Sequence, residues 1–183
     1  AGTVTRSFGS GSVVPGSSVD VILTVDAFTG DSYYAIDEVY PSGWTVIEPG
    51  TGNTGESGKI KWVVISSPVD VTYTYTLSVP AGASGTGLFT GTYGFGGTTT
   101  FSDRSIAGLD VLPIFSCEDT DDGQDYYEKG TVTLGERTET DACRSGVQLR
   151  EWYCSEGDIV RDVYDCSGEG NVCDAAADVC TDE

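Results

Sequence analysis

All six cysteines of the chain lie between Cys117 and Cys180, and the residues before Cys117 contain none. An even number of cysteines in a short segment rich in turn residues is typical of a disulfide framework. Zinc is the alternative, but zinc sites use closely spaced cysteine pairs or histidine, and the chain has neither. We therefore predict three disulfides, with the connectivity open, among Cys117, Cys143, Cys154, Cys166, Cys173 and Cys180.

Disulfides persist outside the cytosol, so the cysteines predict an extracellular or cell-surface protein. The chain begins at Ala1 rather than at methionine, which we interpret as the result of secretion with a cleaved N-terminal leader. No stretch is apolar enough for us to expect a membrane span.

The charge balance limits the class of partner. The chain has 9 basic and 29 acidic residues and a formal net charge of −20. Nucleic-acid binding depends on Lys and Arg contacts to phosphates, so we expect no nucleic-acid partner. Anionic membrane surfaces are disfavoured for the same reason. The acidity is compatible either with a solvated surface or with divalent cations.

The composition changes near Pro113, which predicts two modules, residues 1–112 and 113–183, with the junction between Leu112 and Ser116. The first module carries 4 basic and 10 acidic residues, whereas the second carries 5 and 19 together with every cysteine. The junction lacks the Gly/Ser composition of a flexible tether.

The first module shows the period-two alternation of half-buried strands. Apolar side chains recur at every second position in residues 19–25, 60–64 and 71–79. Shorter candidates are residues 3–8, 33–40, 45–48, 87–93, 98–102 and 106–111. About nine short strands separated by Gly/Pro turns favour an all-β fold, an immunoglobulin-like antiparallel β-sandwich.

The second module is predicted to be a small disulfide-rich β-hairpin module. Residues 147–154 and 159–164 predict a hairpin around Gly157, and residues 126–127 and 131–134 predict a second strand pair around Gly130. Residues 174–179 suggest one helical turn. Crosslinks compensate for the small core that such a module can build.

Two parts of the chain resemble domains of archaeal-type secreted cell-surface proteins. In the first module, residues 15–25 and 41–46 resemble a "P-G-x…V-x-L-x-V" strand and a "P-x-G-W-T-V" turn. In the second, residues 117–130 resemble a "C-x-D-x-D-x-G-x-D-Y-Y-x-K-G" motif. The resemblance implies display outside the cell and no catalytic residues.

The acidic stretch after Cys117 is the best candidate for a ligand site. Asp119, Asp121 and Asp125 alternate with other residues around Gly123, and carboxylate oxygens of this kind suit Ca²⁺. The spacing does not fit an EF-hand, because Lys129 would occupy its last position. The alternative interpretation is an acidic turn beside a disulfide. No other cofactor is expected.

Catalysis is not expected. The chain contains no histidine, so no Ser-His-Asp or Cys-His arrangement can be built. The acidic residues leave a secreted hydrolase with paired carboxylates as a distant alternative. The aromatic residues suggest either a sandwich core or a sugar-stacking platform, which would make a glycan the partner; they are Trp44, Trp62, Tyr73, Tyr75 and Trp152.

We predict an extracellular structural protein, a self-assembling subunit of a cell-surface filament or sheath whose partners are copies of itself. The expected contact is β-strand augmentation, in which the N-terminal strand completes the sheet of a neighbour. That strand comprises Thr3, Val4, Thr5, Arg6, Ser7 and Phe8. Deletion of residues 1–8 is expected to abolish assembly and to leave a soluble folded domain. The alternative function is an adhesive or carbohydrate-binding surface module.

Overall fold

The computed structural model describes residues 2–97 and 103–182, so the predicted strand at residues 98–102 lies outside the described part. The chain divides into a first unit, Ala1–Ile114, and a second unit, Phe115–Glu183. The division falls inside the junction between Leu112 and Ser116. Among the described residues, no helix is long and apolar enough to cross a membrane.

The first unit is built from strands throughout its described residues. These are β1 (Thr3–Phe8), β2 (Ser18–Asp26), β3 (Asp31–Val39), β4 (Thr45–Glu48), β5 (Lys59–Val64), β6 (Val71–Ser78), β7 (Gly85–Leu88), β8 (Thr90–Gly97), β9 (Arg104–Ser105), β10 (Ala107–Gly108) and β11 (Val111–Ile114).

Two sheets face each other in this unit. The first has the strand order β10-β1-β2-β6-β4 and the second β5-β3-β8-β9, while β7 and β11 form a separate ribbon. All pairings are antiparallel except the short parallel contact between β1 and β10. The predicted all-β, immunoglobulin-like sandwich is confirmed.

The core of the sandwich follows from the alternation in the sequence. Every second residue of β2, from Val19 to Val25, is buried, and the residues between them are exposed or half-buried. The opposite sheet contributes Tyr34, Ile36 and Trp62 to the same apolar cluster. Burial of one face of each sheet against the other supplies the main stabilising free energy of such a unit.

Two strand predictions in this unit are wrong. Residues 87–93 are not one strand: β7 ends at Leu88 and β8 begins at Thr90. Phe89 between them is fully buried, because the chain passes there from the β7–β11 ribbon into the second sheet. Residues 106–111 are likewise split between β10 and β11.

The second unit consists of small antiparallel sheets. Its strands are β12 (Cys117–Asp119), β13 (Thr131–Leu134), β14 (Arg137–Thr140), β15 (Ala142–Ser145), β16 (Gln148–Ser155), β17 (Asp158–Asp165), β18 (Asn171–Asp174) and β19 (Val179–Asp182), with a 3-10 turn at Cys166–Glu169. The sheets are β12-β13-β14, β15-β16-β17 and the hairpin β18-β19.

The predicted hairpin around Gly157 is confirmed as β16 and β17. The predicted strand at residues 126–127 is wrong, because these residues lie in the loop between β12 and β13. The predicted helical turn at residues 174–179 is also wrong. Asp174 and Val179 are paired residues of the β18–β19 hairpin, and the residues between them form its turn.

All six cysteines are disulfide-bonded in the structure. The pairs are Cys117–Cys154, Cys143–Cys173 and Cys166–Cys180. Three of the four fully buried residues of the apolar cluster in this unit are cysteines, and the fourth is Leu149. The crosslinks therefore occupy much of the small interior that an apolar core would otherwise fill.

Candidate functional site

Four carboxylates converge inside the second unit, and we call them the carboxylate cluster: Asp119, Asp121, Asp141 and Glu151. Asp119 ends β12, Asp121 follows in the next loop, Asp141 precedes β15 and Glu151 lies in the middle of β16. One oxygen from each of Asp121, Asp141 and Glu151 lies within 4.8 Å of the others. The carboxyl of Asp119 is within hydrogen-bonding reach of Asp121.

Backbone amides hold three of these side chains in place. Asp119 Oδ2 accepts from the N–H of Cys154 at 3.1 Å. Asp141 accepts from Trp152 N–H through Oδ1 at 2.7 Å and from Gly130 N–H through Oδ2 at 2.5 Å. Glu151 Oε1 accepts from the N–H of Asp125 at 3.0 Å. Each of these hydrogen bonds fixes the direction of a carboxylate.

Several buried oxygens of the carboxylate cluster have no hydrogen-bond donor in the protein when the acids are ionised. They are Asp119 Oδ1, both oxygens of Asp121 and Glu151 Oε2. Glu151 has no exposed surface and Asp141 is 1% exposed. Buried polar atoms are nearly always hydrogen-bonded, so four unpartnered carboxylate oxygens in one place require an explanation.

Burial and mutual repulsion raise the pKa values of Asp121, Asp141 and Glu151 and so favour their protonated forms. Burial, followed by the neighbouring Asp119 carboxyl, raises the pKa of Asp121 to about 7. Burial, followed by the charges of Asp141 and Asp121, raises the pKa of Glu151 to about 8. Burial also raises the pKa of Asp141, although the amides of Trp152 and Gly130 oppose the shift.

Gly130 completes the wall of the cluster. Its N–H donates to Asp141, and a β-carbon placed on it would overlap the carboxylate of Asp121 before any other atom. The backbone thus approaches Asp121 so closely that a β-carbon at position 130 would require the Asp121 carboxylate to move.

The structure brings together two of the three predicted metal ligands. Asp119 and Asp121 belong to the carboxylate cluster, whereas Asp125 contributes its backbone N–H to Glu151 and accepts from Tyr127 N–H through its own Oδ1. The sequence prediction did not include Asp141 and Glu151. The sequence does offer a signal for Glu151. It lies two positions after the apolar Leu149, so the alternation of a strand places this charged residue on the same, buried face.

The predicted assembly strand lies inside its own sheet. β1 pairs with β2 along its full length, from Thr3 opposite Asp26 to Phe8 opposite Val21, and its middle also pairs with β10. Val4 and Arg6 are buried in the first unit. Residues 3–8 therefore have strand partners in their own chain, and their role in assembly and the folding of a chain without them stay predictions.

A partly open edge remains at β5. Lys61 exchanges two backbone hydrogen bonds with Asn53, so the outward backbone groups of that half of the strand are occupied. By the alternation of a strand, the N–H and C=O of Val63 point in the same outward direction. Within the described part of the chain, no hydrogen bond to them is seen. The side chains of Val63 and Ile65 are 67% and 83% exposed.

The aromatic residues form a core rather than a platform. Trp44, Trp62 and Tyr75 are buried in the sandwich, and Trp62 stacks on Tyr73 with ring centroids 5.3 Å apart. Trp152 in the second unit is half-buried. These positions leave no exposed coplanar pair of the five candidate rings for a sugar to stack on.

No protein-family model and no curated protein matches the chain. Among solved structures, the sixth cohesin of scaffoldin B from Acetivibrio cellulolyticus, in complex with the Cel5 dockerin, is 18% identical, with a TM-score of 0.42 over 61% of this chain and 99% of that one. A type I cohesin–dockerin complex from Clostridium thermocellum gives 14% identity, a TM-score of 0.39 and the same coverage. Spo0M, a sporulation control protein from Bacillus subtilis, is 9% identical, with a TM-score of 0.31 over 90% of each chain. At these TM-scores the likeness says nothing about the function of this chain.

Proposed function

We propose that the chain is an extracellular, non-catalytic structural module that assembles with copies of itself through the open half of β5. The observation that supports the proposal most directly is the outward backbone of Val63 beside two exposed apolar side chains. An unpaired strand edge of this kind is a template for β-strand augmentation. The disulfides support the extracellular setting.

One half of β5 is protected against pairing with another strand, and the other half is not. Proteins protect free edges with lysines and covering loops, and the half from Lys59 to Lys61 has both. Within the described residues, the half that contains Val63 and is followed by Ile65 has neither. Val69, shortly after it in the chain, is also 66% exposed. The unprotected half is therefore the part that a partner strand can reach.

The local charge beside β5 does not oppose another copy as the occupant. Copies with a net charge of −20 repel each other over most of their surface. At β5 the positive charges of Lys59 and Lys61 are balanced by Asp37 and Glu56, through ion pairs of 2.5 to 3.6 Å. The charges at this end of β5 therefore cancel, and they add no repulsion between copies to that of the rest of the surface.

We assign the edge strand β4 as the partner of β5 in the next copy. β4 is the outer strand of the first sheet, and its Ile47 is 50% exposed. Contact between two different edges is heterologous, and such contacts propagate into an open fibre when the rotation does not close. The same pairing would extend one sheet of each copy into the other.

The test is a substitution that removes one outward donor. Val63→Pro deletes the N–H that points away from β3, and proline is tolerated on edge strands. Val63→Thr is the matched control, because it keeps both the N–H and the preference for a strand. Sedimentation velocity and negative-stain electron microscopy measure the size of the assemblies. We expect wild type and Val63→Thr to polymerise and Val63→Pro to remain a folded monomer. A wild-type chain that stays monomeric at high concentration, or a polymerising Val63→Pro, would refute the proposal.

A further inference from the structure

We propose that the second unit binds one Ca²⁺ ion in the carboxylate cluster formed by Asp119, Asp121, Asp141 and Glu151. The inference concerns a different unit from the β5 edge and does not depend on assembly. It rests on the convergence of these side chains, on the unpartnered buried oxygens and on the backbone amides that orient them.

The arrangement is that of a prepared ligand set. The backbone amides of Cys154, Trp152, Gly130 and Asp125 donate to one oxygen of Asp119, to both oxygens of Asp141 and to one oxygen of Glu151. The oxygens without partners belong to Asp119, Asp121 and Glu151, whereas both oxygens of Asp141 accept from backbone amides. Glu151 is completely buried, and its Oε2 has no protein partner. A second shell of hydrogen bonds that fixes the ligands is a regular feature of metal sites.

The chemistry of the donors selects the ion. All four side chains offer oxygen, and every cysteine is in a disulfide, so soft thiolate ligands are absent from the described structure. Ca²⁺ is held by several carboxylates at about 2.3–2.6 Å, so two ligands on opposite sides of it are separated by about 5 Å at most. That limit matches oxygens that lie within 4.8 Å of one another. Mg²⁺ prefers one or two carboxylates and keeps several waters.

The loop that closes the cluster is fixed elsewhere. Tyr126 stacks on Tyr164 with ring centroids 3.7 Å apart, and its hydroxyl donates to Asp162 at 3.2 Å. Its carbonyl accepts from Cys180 N–H at 2.8 Å. The segment from Asp121 to Gly130 therefore has an anchor that does not depend on the carboxylates, and the ion is required only to offset their repulsion.

Calorimetric titration of the chelator-treated full chain with CaCl₂ tests the site directly. We expect one saturable site, and a rise in the Tm of the second unit of about 10 °C or more at a hundredfold excess over Kd. MgCl₂ at the same concentration is expected to give a much smaller shift. Hydrogen exchange should show increased protection of the amides of Asp125, Trp152 and Cys154.

Three variants separate a bound ion from a structural role of the acids. Asp121→Asn removes one charge, so it should weaken Ca²⁺ binding at least a hundredfold and raise the Tm in chelator, because repulsion is relieved. Gly130→Ala should also abolish binding, although it removes no carboxylate. Asp122→Asn is the matched control: Asp122 is exposed and has a φ of 61°, which asparagine adopts readily. It should bind Ca²⁺ within about twofold of wild type.

Clear outcomes would overturn the proposal. One is the absence of both a heat of binding and a Tm difference between Ca²⁺ and chelator. Others are several weak sites, an equal response to Mg²⁺, or a loss of binding in Asp122→Asn as large as that in Asp121→Asn. These last results would indicate a diffuse acidic surface or an unselective site rather than the carboxylate cluster.

Discussion

Replacing Arg6 by methionine should strongly destabilise the first unit. Arg6 is 1% exposed, and its guanidinium donates from Nε and Nη2 to the two oxygens of Glu38, both at 2.7 Å. Its third contact is Nη1 to the carbonyl of Leu109 at 3.1 Å. Glu38 has no exposed surface and also accepts from the hydroxyl of Tyr75 at 2.9 Å. The pair joins β1 of one sheet to β3 of the other.

The magnitude follows from what the substitution leaves behind. Methionine keeps the buried stem of the side chain, so the cavity is small, but Glu38 is left buried with only Tyr75 as a partner. Breaking a buried ion pair in this way costs about 3–5 kcal/mol. Two hydrogen bonds to a charged group, at about 1.5–3 kcal/mol each, give about the same sum. The free energy of unfolding of a small domain is about 5–15 kcal/mol in total, so the loss is a large fraction of its stability.

Guanidinium chloride unfolding, followed by tryptophan emission, measures the effect, because Trp44 and Trp62 lie in the core of this unit. With a denaturant slope of about 4 kcal/mol/M, the midpoint should fall by about 1 M. The double variant Arg6→Met/Glu38→Met should recover much of the loss, because no unpaired charge remains. A loss below about 1 kcal/mol in the single variant, or strict additivity in the double variant, would refute the reasoning. The same experiment tests whether β1 is integral to its own sheet.

Two further predictions concern the second unit. In metal-free protein, the folded-state pKa values of Asp121, about 7, and Glu151, about 8, lie above the usual value of about 4 for the unfolded chain. Between about pH 4 and pH 8 the folded protein therefore binds more protons than the unfolded chain. The contribution of these two acids to the free energy of unfolding should be fully present below about pH 4 and be lost as the pH rises through 7 and 8. Thermal unfolding between pH 5 and pH 9 checks this, and a Tm that rises with pH would contradict it. Reduction of the disulfides should unfold residues 115–183, because each crosslink contributes about 3–4 kcal/mol to the stability of that unit by loop closure. The first unit contains no cysteine, so its core amides should stay protected in hydrogen exchange. Equal loss of protection in both units would be the contrary result.

The sandwich could be predicted from the sequence because its pattern is local. The alternation of Val19, Val21, Leu23 and Val25 has the period of a strand with one buried face, and burial in the structure follows it residue by residue. The prediction failed where the chain changes sheets. Around Phe89 the alternation continues across the break, so period alone could not separate β7 from β8.

The carboxylate cluster could be predicted only in part, because its members are distant in the sequence. Asp119 and Asp121 were found together, since one loop contains both. Asp141 and Glu151 are brought to them by the pairing of β15 with β16 and by the Cys117–Cys154 crosslink, and fifteen connectivities were open from sequence alone. The partners of Thr3–Phe8 were missed for the same reason, because pairing with residues 107–108 depends on the whole fold.

The disulfides and the carboxylates of the second unit depend on each other through geometry. Cys117 lies two residues before Asp119, and the amide of its disulfide partner Cys154 is the group that orients the Asp119 carboxylate. Cys143 lies two residues after Asp141, and its amide is bound by Asp178. The crosslinks thus hold the strands that carry the acids against each other, in a unit whose apolar cluster is largely cystine. The crosslinks thereby oppose the separation of these strands, which repulsion between ionised members of the carboxylate cluster favours. The Ca²⁺ site proposed above therefore depends on this covalent framework.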